Sequence, residues 1–383
     1  MAFTNVHVEP FTMPVWVRGT ETAEILSPFP QKLVLTALGN SGATPAEGLT
    51  AEIVAFDSVE ALAAAPDSTV RGKIVFIDHH MMPTQDGSGY GQFGAPRRQG
   101  PTIASKKGAI GIVVRSIGTD HHRNPHTGVQ VFSDGAKPIP AAALSVPDAE
   151  QLARILARGR PVTMHLTLTP RFVEPSRSGN VVADLIGRDP SLPMLLVCGH
   201  LDSWDLGTGA IDDGAGAAIS TAAAKRIMDA GRPLRTIRVV WFGAEEPGTF
   251  GAAAFAKAHG TDRFAGMAES DFGADRIWRM DARLGAGRKA EEDALFAAVA
   301  PLGVLKGVTD KAGGSDLDDL IEAGQPVIAL RQDGTRYFDW HHTPDDTLDK
   351  IDKDQLRQNV ATWTAMLAVL SGGMSEPKRP SRR

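Results

Sequence analysis

The stretch of sequence that decides the fold is MLLVCGHLDS, residues 194–203. Its first five residues are apolar, as in a strand that is covered on both faces by helices. A histidine and an aspartate, His200 and Asp202, follow this predicted strand directly. Ligands of open α/β sheets bind beyond the carboxyl ends of the strands. The stretch therefore predicts a buried central strand with a functional site at its end.

On either side of this stretch, β-type and helical segments alternate. The further β-type runs are 181–186, 236–241 and 326–330, and the helical stretches are 214–229, 291–300, 316–323 and 355–370. Such alternation is typical of parallel strands that are joined by helices. We therefore expect an α/β fold with a mixed, largely parallel sheet flanked by helices.

The sequence that precedes this region has a different pattern of apolar and turn-forming residues. Between residues 41 and 170, short apolar runs such as 73–77 are divided by Gly- and Pro-rich loops, and 148–158 is a predicted helix. This pattern predicts a compact β-rich module inserted into the chain. Residues 1–40 and 171–383 are then expected to form the other domain together.

Composition excludes several classes of protein. The 383 residues carry a formal net charge of −5, so neither nucleic acid nor an anionic membrane is an expected partner. No apolar run approaches the roughly 20 residues that are needed to span a bilayer. Cys198 is the only cysteine, which excludes a disulfide scaffold, and its apolar neighbours indicate a buried thiol.

Acidic residues and histidines recur beside the other predicted elements. They are Glu245-Glu246 after 239–242, Glu269 and Asp271 after 264–268, His341-His342 after 326–330, and Asp212-Asp213 just before the helix at 214. Carboxylates that converge in this way repel one another, and a divalent cation is the simplest remedy. Imidazoles and carboxylates without a thiolate favour zinc, with cobalt or manganese as alternatives.

Each of these motifs is weak alone, but the ordered set resembles a known superfamily. The segments that carry the resemblance are 200–205, 209–214, 244–246, 269–271 and the segment around His342. They are similar to the co-catalytic two-zinc exopeptidases, which include bacterial leucyl aminopeptidases, glutamate carboxypeptidase and the transferrin receptor. Within that superfamily the chain most resembles the carboxypeptidase Q family. Residues 125–128 and 139–150 fit a protease-associated domain, so the resemblance assigns the insertion 41–170 to that domain.

The resemblance implies five ligands for two zinc ions. Asp212 would bridge both ions. His200 and Asp271 would complete the protein ligands of one ion, and Glu246 and His342 would complete those of the other.

The same resemblance implies roles for residues around these ligands. Asp202 would hold the ring of His200, and the peptide bond between Asp212 and Asp213 would be cis. Glu245 precedes a ligand, so it would point into the site as the general base that moves the proton of the attacking water.

Several neighbours of this set have alternative interpretations. Asp275 and Asp281 also follow the predicted strand 264–268, but only Asp271 stands in the Glu-Ser-Asp context of the family. His341 is expected to be a pocket wall or substrate contact rather than a sixth ligand. The other expected substrate-binding residues are Ser315, Asp316 and Tyr337.

The function that the resemblance implies is hydrolysis of dipeptides or short peptides with a free N-terminus. No Gly-x-Ser-x-Gly motif follows a predicted strand, so a serine mechanism is not expected. A zinc-dependent N-acyl amino acid hydrolase or cyclase on the same fold stays an alternative, as does a receptor-like homologue without catalysis. The intact ligand positions disfavour the receptor, and the predicted protease-associated domain disfavours the cyclase.

Location and assembly are open at this level. Likeness to the family implies a secreted or periplasmic protein, but residues 1–7 have neither the basic nor the apolar region of a signal peptide. In the family, roughly 50 residues with helices precede the segment equivalent to Asn5, and this sequence starts inside that region: either the start is misplaced, the chain is processed, or the helices have been lost. Loss of the helices would uncover an apolar sheet face, so a homodimer is left open.

Overall fold

The computed structural model describes residues 2–308 and 312–372 of the chain. Residues 309–311 and 373–383, which belong to the predicted domain 171–383, lie outside the described residues. The described part contains two eight-stranded sheets, and each has its own hydrophobic core.

The secondary structure consists of strands and helices that alternate through most of the chain. The strands are β1 (Thr4–Val17), β2 (Glu21–Ser27), β3 (Gln31–Leu33), β4 (Leu35–Ala37), β5 (Leu49–Phe56), β6 (Ile74–Ile77), β7 (Gly111–Arg115), β8 (Ala141–Leu144), β9 (Thr163–Leu168), β10 (Arg171–Leu185), β11 (Met194–His200), β12 (Ile237–Phe242), β13 (Phe264–Glu269), β14 (Ile277–Arg283), β15 (Leu305–Lys306) and β16 (Val327–Gln332). The helices are α1 (Val59–Ala64), α2 (Asp67–Val70), α3 (Ser88–Phe93), α4 (Ala95–Arg98), α5 (Gly100–Lys106), α6 (Val146–Leu156), α7 (Ala215–Ala230), α8 (Phe250–His259), α9 (Lys289–Val299), α10 (Asp318–Glu322), α11 (Tyr337–Trp340) and α12 (Lys353–Leu370).

The first sheet has the strand order β1-β10-β12-β11-β13-β16-β14-β15. Its centre is parallel, because β11 pairs in parallel with β12 and β13, and β13 pairs in parallel with β16. Antiparallel pairs of β1 with β10, β10 with β12, and β14 with β16, and a parallel pair of β14 with β15, complete it. The predicted mixed α/β architecture is confirmed.

Alternate side chains of β11 face opposite cores, as expected for a central strand. Leu195 and Val197 contact the core that α7 and α12 cover, whereas Leu196 and Cys198 contact the core that α8 and α10 cover. Cys198 is a free, fully buried thiol, as its apolar neighbours predicted. Both faces of the strand are therefore packed against hydrophobic cores. Close packing on both sides holds the end of the strand in a fixed position.

Helix α7 begins very close to the ends of the central strands. Gly216, in its first turn, has no room for a side chain, because an added Cβ would lie 1.8 Å from the backbone oxygen of Ser270. The irregular turn Ala210–Gly214 leads into this helix and is pressed against the same strand ends. Glycine at this position therefore permits the close approach that places the acidic turn at the edge of the sheet.

The second sheet has the strand order β3-β2-β9-β5-β6-β7-β8-β4. It includes β2, β3 and β4, so residues 21–37 lie in this sheet, whereas the predicted boundary placed residues 1–40 with the other domain. The reason is that β2 pairs with β9 and buries Ala23 and Ile25 in the second core. An extended segment does not reveal its partner strand in the sequence. We call residues 21–168 the second lobe.

A long antiparallel ribbon of β1 and β10 runs along the edge of the first sheet. It extends from the pair Thr4 and Asp184 to the pair Val17 and Arg171, beside the second lobe. Within the described ranges, no helix is both long and apolar enough to cross a membrane.

Candidate metal centre

The ends of the central strands bring the predicted ligands to one edge of the first sheet. His200 is the last residue of β11, and the Glu245-Glu246 pair follows β12 after a short turn. Asp271 follows β13 by two residues. Because β11, β12 and β13 are parallel neighbours, their carboxyl ends meet at this edge.

The five predicted ligands form a continuous row. His200 Nε2 lies 3.1 Å from Asp212 Oδ1 and 3.3 Å from Asp271 Oδ1. On the other side, His342 Nε2 lies 3.3 Å from Asp212 Oδ2 and 3.1 Å from Glu246 Oε2. Asp212 is thus the centre, with Asp271 and Glu246 at opposite ends. Burial works to raise the pKa of Asp212, but hydrogen bonds from the two histidines outweigh it and hold that pKa well below its usual range.

The row is buried and leaves carboxylate oxygens without partners. Asp212 and Glu246 are buried, and Asp271 is half-buried. Glu246 Oε1 and Asp271 Oδ1 are inaccessible to solvent and accept no hydrogen bond, although Asp271 Oδ1 lies 3.3 Å from His200 Nε2. Buried, unpartnered carboxylate oxygens are costly unless they coordinate a cation. The donor set therefore fits divalent metal ions, and its imidazoles and carboxylates without a thiolate suit zinc.

Burial raises the pKa of several carboxyls at this edge. It raises the pKa of Glu246 to about 7 and that of Glu269 to about 8. Burial, together with the charge of Asp271, also raises the pKa of Glu245 well above its usual value. A concentration of acidic groups that resist ionisation is the electrostatic setting that a bound cation relieves.

Asp202 acts differently from the prediction for it. The ring of His200 donates from Nδ1 to the backbone oxygen of Asp202 at 2.9 Å, whereas the Asp202 carboxylate lies 3.9 Å from that nitrogen. The carboxylate instead accepts hydrogen bonds from the backbone N–H groups of Glu245 and Glu246, at 3.0 and 3.1 Å. Asp202 therefore positions the glutamate pair with its side chain and the histidine with its main chain.

Two further aspartates hold the central turn. Asp213 accepts a hydrogen bond from the backbone N–H of His200 at 3.0 Å, and the peptide bond between Asp212 and Asp213 is cis, as the resemblance implied. Asp346 accepts from the backbone N–H groups of Ile211 and Asp212, at 2.6 and 3.2 Å. Asp346 is not among the predicted site residues. In the sequence, the acidic residues of the loop after His342 are the one feature that points to it.

The second lobe holds His342 in place. His342 Nδ1 donates to the backbone oxygen of Thr127 at 3.1 Å, and the backbone N–H of Thr127 donates to the oxygen of His342 at 3.0 Å. His126 Nδ1 donates to the backbone oxygen of His341 at 2.8 Å, and its Nε2 contacts Asp120 Oδ1 at 2.7 Å. Because Nδ1 of His342 is engaged, Nε2 is the nitrogen that faces the row.

Comparison with known proteins assigns the family. Residues 180–367 match the profile of Peptidase family M28. Carboxypeptidase Q of Mus musculus is 35% identical over 375 residues, which cover 97% of this chain and 78% of that protein. The chain belongs to peptidase family M28. It is therefore a peptide hydrolase related to carboxypeptidase Q.

Solved structures agree with this assignment. The crystal structure of a peptidase M28 precursor from Shewanella amazonensis SB2B has a TM-score of 0.93 at 46% identity, covering 100% of this chain and 87% of that chain. A zinc aminopeptidase from Bacillus subtilis has a TM-score of 0.65 at 20% identity, covering 95% of this chain and 84% of that chain. The second comparison shows a similar fold only.

In this M28 peptidase, His341 also faces the row. Its ring stacks on that of His342 with centroids 3.5 Å apart, and its Nε2 lies 3.5 Å from Asp212 Oδ2. His342 has a positive φ of 62°, a conformation that few non-glycine residues adopt. His341, Asp212 and His342 thus form a second group that could hold a metal ion, although His341 was expected to be a pocket wall or substrate contact.

The remaining predicted pocket residues lie at the Asp271 end of the M28 site. Ser315 Oγ donates to Glu269 Oε1 at 3.2 Å and to Asp271 Oδ2 at 3.3 Å. Asp316 is buried, and both of its carboxylate oxygens lack a hydrogen-bond partner. Tyr337 is buried as well, and its ring stacks on Phe272 with centroids 4.4 Å apart.

Asp275 and Asp281, the alternatives to Asp271, form ion pairs with arginines. Asp275 pairs with Arg336 at 2.6 Å, and Asp281 pairs with Arg279 and Arg331, each at 3.1 Å. Asp271 is the one of the three that contacts His200 among the described residues. The geometry therefore favours Asp271 as the candidate ligand.

Two pockets adjoin opposite ends of the row. A polar pocket of about 180 Å³ is lined by Asp271 and Glu269. An apolar pocket of about 350 Å³ is lined by Asp202 and Glu246 together with aromatic and aliphatic side chains. A peptide that lies across the row would therefore meet different chemistry on the two sides of the bond to be cleaved.

Proposed function

We propose that this chain is a zinc-dependent exopeptidase that hydrolyses dipeptides or short peptides with a free N-terminus. The observation that carries the proposal is the buried row from Asp271 to Glu246, in which two imidazoles and three carboxylates converge. Membership of peptidase family M28 and the similarity to carboxypeptidase Q support it.

Two zinc ions are the proposed cofactor, with cobalt or manganese as substitutes. His200 and Asp271 would hold one ion, Glu246 and His342 the other, and Asp212 would contact both. The unpartnered oxygens of Glu246 and Asp271 support this set. When bound, zinc polarises the substrate carbonyl and lowers the pKa of a bound water toward about 7.

Glu245 is the proposed general base. Burial and Asp271 raise its pKa, so it holds a proton more readily than an exposed glutamate does. It takes the proton of the attacking water and then delivers this proton to the departing amine. The Asp202 carboxylate accepts a hydrogen bond from the backbone N–H of Glu245, and this contact would help to direct the Glu245 side chain into the site.

The polar pocket at the Asp271 end is the proposed site for the free N-terminus. An ammonium group is stabilised by nearby carboxylates, and Glu269 and Asp271 line this pocket. Ser315 orients both carboxylates through its hydroxyl group. Burial, together with the charge of Glu269, raises the pKa of the adjacent Asp316 well above its usual value, and a bound ammonium group would favour its ionised form.

We also propose that the second lobe is a protease-associated domain. The resemblance of residues 125–128 and 139–150 supports this, as does the separate hydrophobic core of the lobe. We propose 21–168 rather than 41–170 as the bounds of this domain, and the presence of β2, β3 and β4 in the second sheet supports the earlier start. A secreted or periplasmic location and a homodimer stay predictions.

The test measures zinc content and substrate range together. Purified protein is stripped with a chelator, titrated with zinc, and assayed by mass spectrometry on three peptide sets: free dipeptides, N-acetylated dipeptides and N-terminal glutaminyl peptides. We expect two equivalents of zinc, hydrolysis of the free dipeptides and of the glutaminyl peptides, which also have a free N-terminus, and no deacylation of the N-acetylated set. Deacylation of the second set or cyclisation of the third would favour the alternative hydrolase or cyclase, and zinc-independent hydrolysis would refute the proposal.

A further inference from the structure

The apolar pocket at the Glu246 end is built from several parts of the chain. It is formed by β1, by the second lobe, by the segments after β11 and β12, and by the start of α8. Seven large apolar side chains meet there and stay half-buried: Met13, Val15, Trp16, Val17, Val129, Trp204 and Phe250. Isolated apolar side chains at a surface are ordinary, but a concave group of seven marks a binding site for an apolar ligand.

The pocket is continuous with the candidate metal centre. Its wall includes Glu246, and the ring of Trp204 lies 5.9 Å from that of His342, between centroids. The backbone of Gly39 in the second lobe packs closely against the indole of Trp204. A Cβ added at Gly39 would lie 2.3 Å from that ring. The aromatic wall is therefore held between the two lobes, next to the reacting groups.

The charges at the pocket disfavour an anionic ligand. Among the described residues that line it, Arg18 is the cation, and its guanidinium is already engaged. Arg18 donates to Glu21 and to Asp205, each at 2.8 Å, and to the backbone oxygen of Ala37 at 2.6 Å. The three carboxylates of the lining are engaged as well: Asp202 with two backbone N–H groups, Asp205 with Arg18, and Glu246 with His342. The ligand that fits is thus an uncharged, apolar group.

The geometry points to the substrate side chain on the carboxyl side of the cleaved bond as the occupant. This inference rests on the proposed peptidase function. If the free N-terminus lies at the Asp271 end, the leaving residue lies toward Glu246, at the opposite end of the row. The pocket then selects substrates whose leaving residue is Phe, Leu or Met. A volume of about 350 Å³ accommodates any of these side chains.

The test varies the leaving residue alone. Alanyl-phenylalanine amide and alanyl-glycine amide differ only at that residue, and the amide removes a terminal carboxylate. The zinc-loaded wild type is expected to show kcat/KM about 10- to 200-fold higher for the first, the range of an apolar side chain in an apolar pocket. Val129→Trp, which fills the pocket, is expected to reduce this ratio at least about 10-fold. The matched control is Val131→Trp, because Val131 is 61% exposed and lies outside the pocket.

Phe250→Ala, which removes one wall, is a second variant and should reduce the same ratio. Calorimetry with phenylalanine amide and glycine amide as probes tests the pocket without hydrolysis. Tighter binding of phenylalanine amide that is lost in Val129→Trp supports the inference even if no peptide is cleaved, an outcome that would refute only the proposed function. Equal kcat/KM for both substrates, or a ratio that folded Val129→Trp and Phe250→Ala leave unchanged, would overturn the inference.

Discussion

Thr127 and His342 exchange two hydrogen bonds across the boundary between the second lobe and the first sheet. The ring of His342 donates to the Thr127 oxygen at 3.1 Å, and the Thr127 N–H donates to the His342 oxygen at 3.0 Å. A proposed metal ligand is therefore oriented by the main chain of another lobe. Removal of such an indirect contact typically lowers the metal affinity of a site about 10- to 100-fold.

His126→Ala should disturb this arrangement, since His126 supports the neighbouring His341 oxygen and is paired with buried Asp120. We expect zinc affinity to fall about 10- to 100-fold. The free energy of unfolding should fall by about 1–3 kcal/mol, because Asp120 is left buried without its partner. Competition with a zinc chelator and urea unfolding measure the two effects.

The control for this prediction is His121→Ala, in the same loop, because the side chain of His121 is 79% exposed. It should leave zinc affinity unchanged and stability within about 0.5 kcal/mol. Wild-type zinc affinity in His126→Ala would show that the second lobe does not position the ligand.

Adjacent glutamates should separate catalysis from metal binding. Glu245→Gln removes the proposed base, so kcat should fall about 10²- to 10⁴-fold while zinc content stays at the wild-type value. Glu246→Gln removes a proposed ligand, so zinc affinity itself should fall. Steady-state kinetics and metal analysis of both variants check this. Near-normal kcat in Glu245→Gln would remove its assignment as the base.

Asp202→Ala should reduce activity through the backbone of the glutamate pair. The variant removes the acceptor for two backbone N–H groups, so both Glu245 and Glu246 lose their fixed positions. We expect kcat to fall about 10- to 100-fold together with a weaker affinity for zinc. The control is Asp229→Ala, since Asp229 pairs with Lys225 on the exposed face of α7. If kcat and zinc affinity are unchanged in Asp202→Ala, the positioning role is wrong.

The metal-free protein should become less stable as the pH rises from about 5 to about 8. Burial raises the pKa of Glu246 to about 7 and that of Glu269 to about 8, from an unfolded value near 4.5, so both bind protons more tightly when folded than when unfolded. Stability therefore falls between the unfolded and the folded pKa values, by on the order of 1.4 kcal/mol per pH unit for each proton, and levels off above about pH 8. Bound zinc should remove this trend, because metal ligands must be deprotonated.

Urea unfolding at three pH values, with chelator and with zinc, measures the trend. Glu269→Gln provides the comparison, because it removes one of the two titrating groups and should reduce the slope. A metal-free protein whose stability rises over this pH range would contradict the expected ionisation of the site.

The sequence by itself determined the central strand and the acidic and imidazole residues that follow the strands. An apolar run such as 194–198 has to be covered on both faces, and parallel strands end at one edge, so these residues were bound to converge. Resemblance then ordered them into a ligand set.

The tertiary structure alone decided which groups hold that set in place. These contacts join segments that are distant in sequence: the pairing of β2 with β9, the hydrogen bond of His342 to Thr127, and the backbone contacts of Asp202 and Asp346. Main-chain atoms make most of these contacts. Because every residue except proline has the same N–H and C=O groups, the residue type does not reveal which main-chain groups will form these contacts.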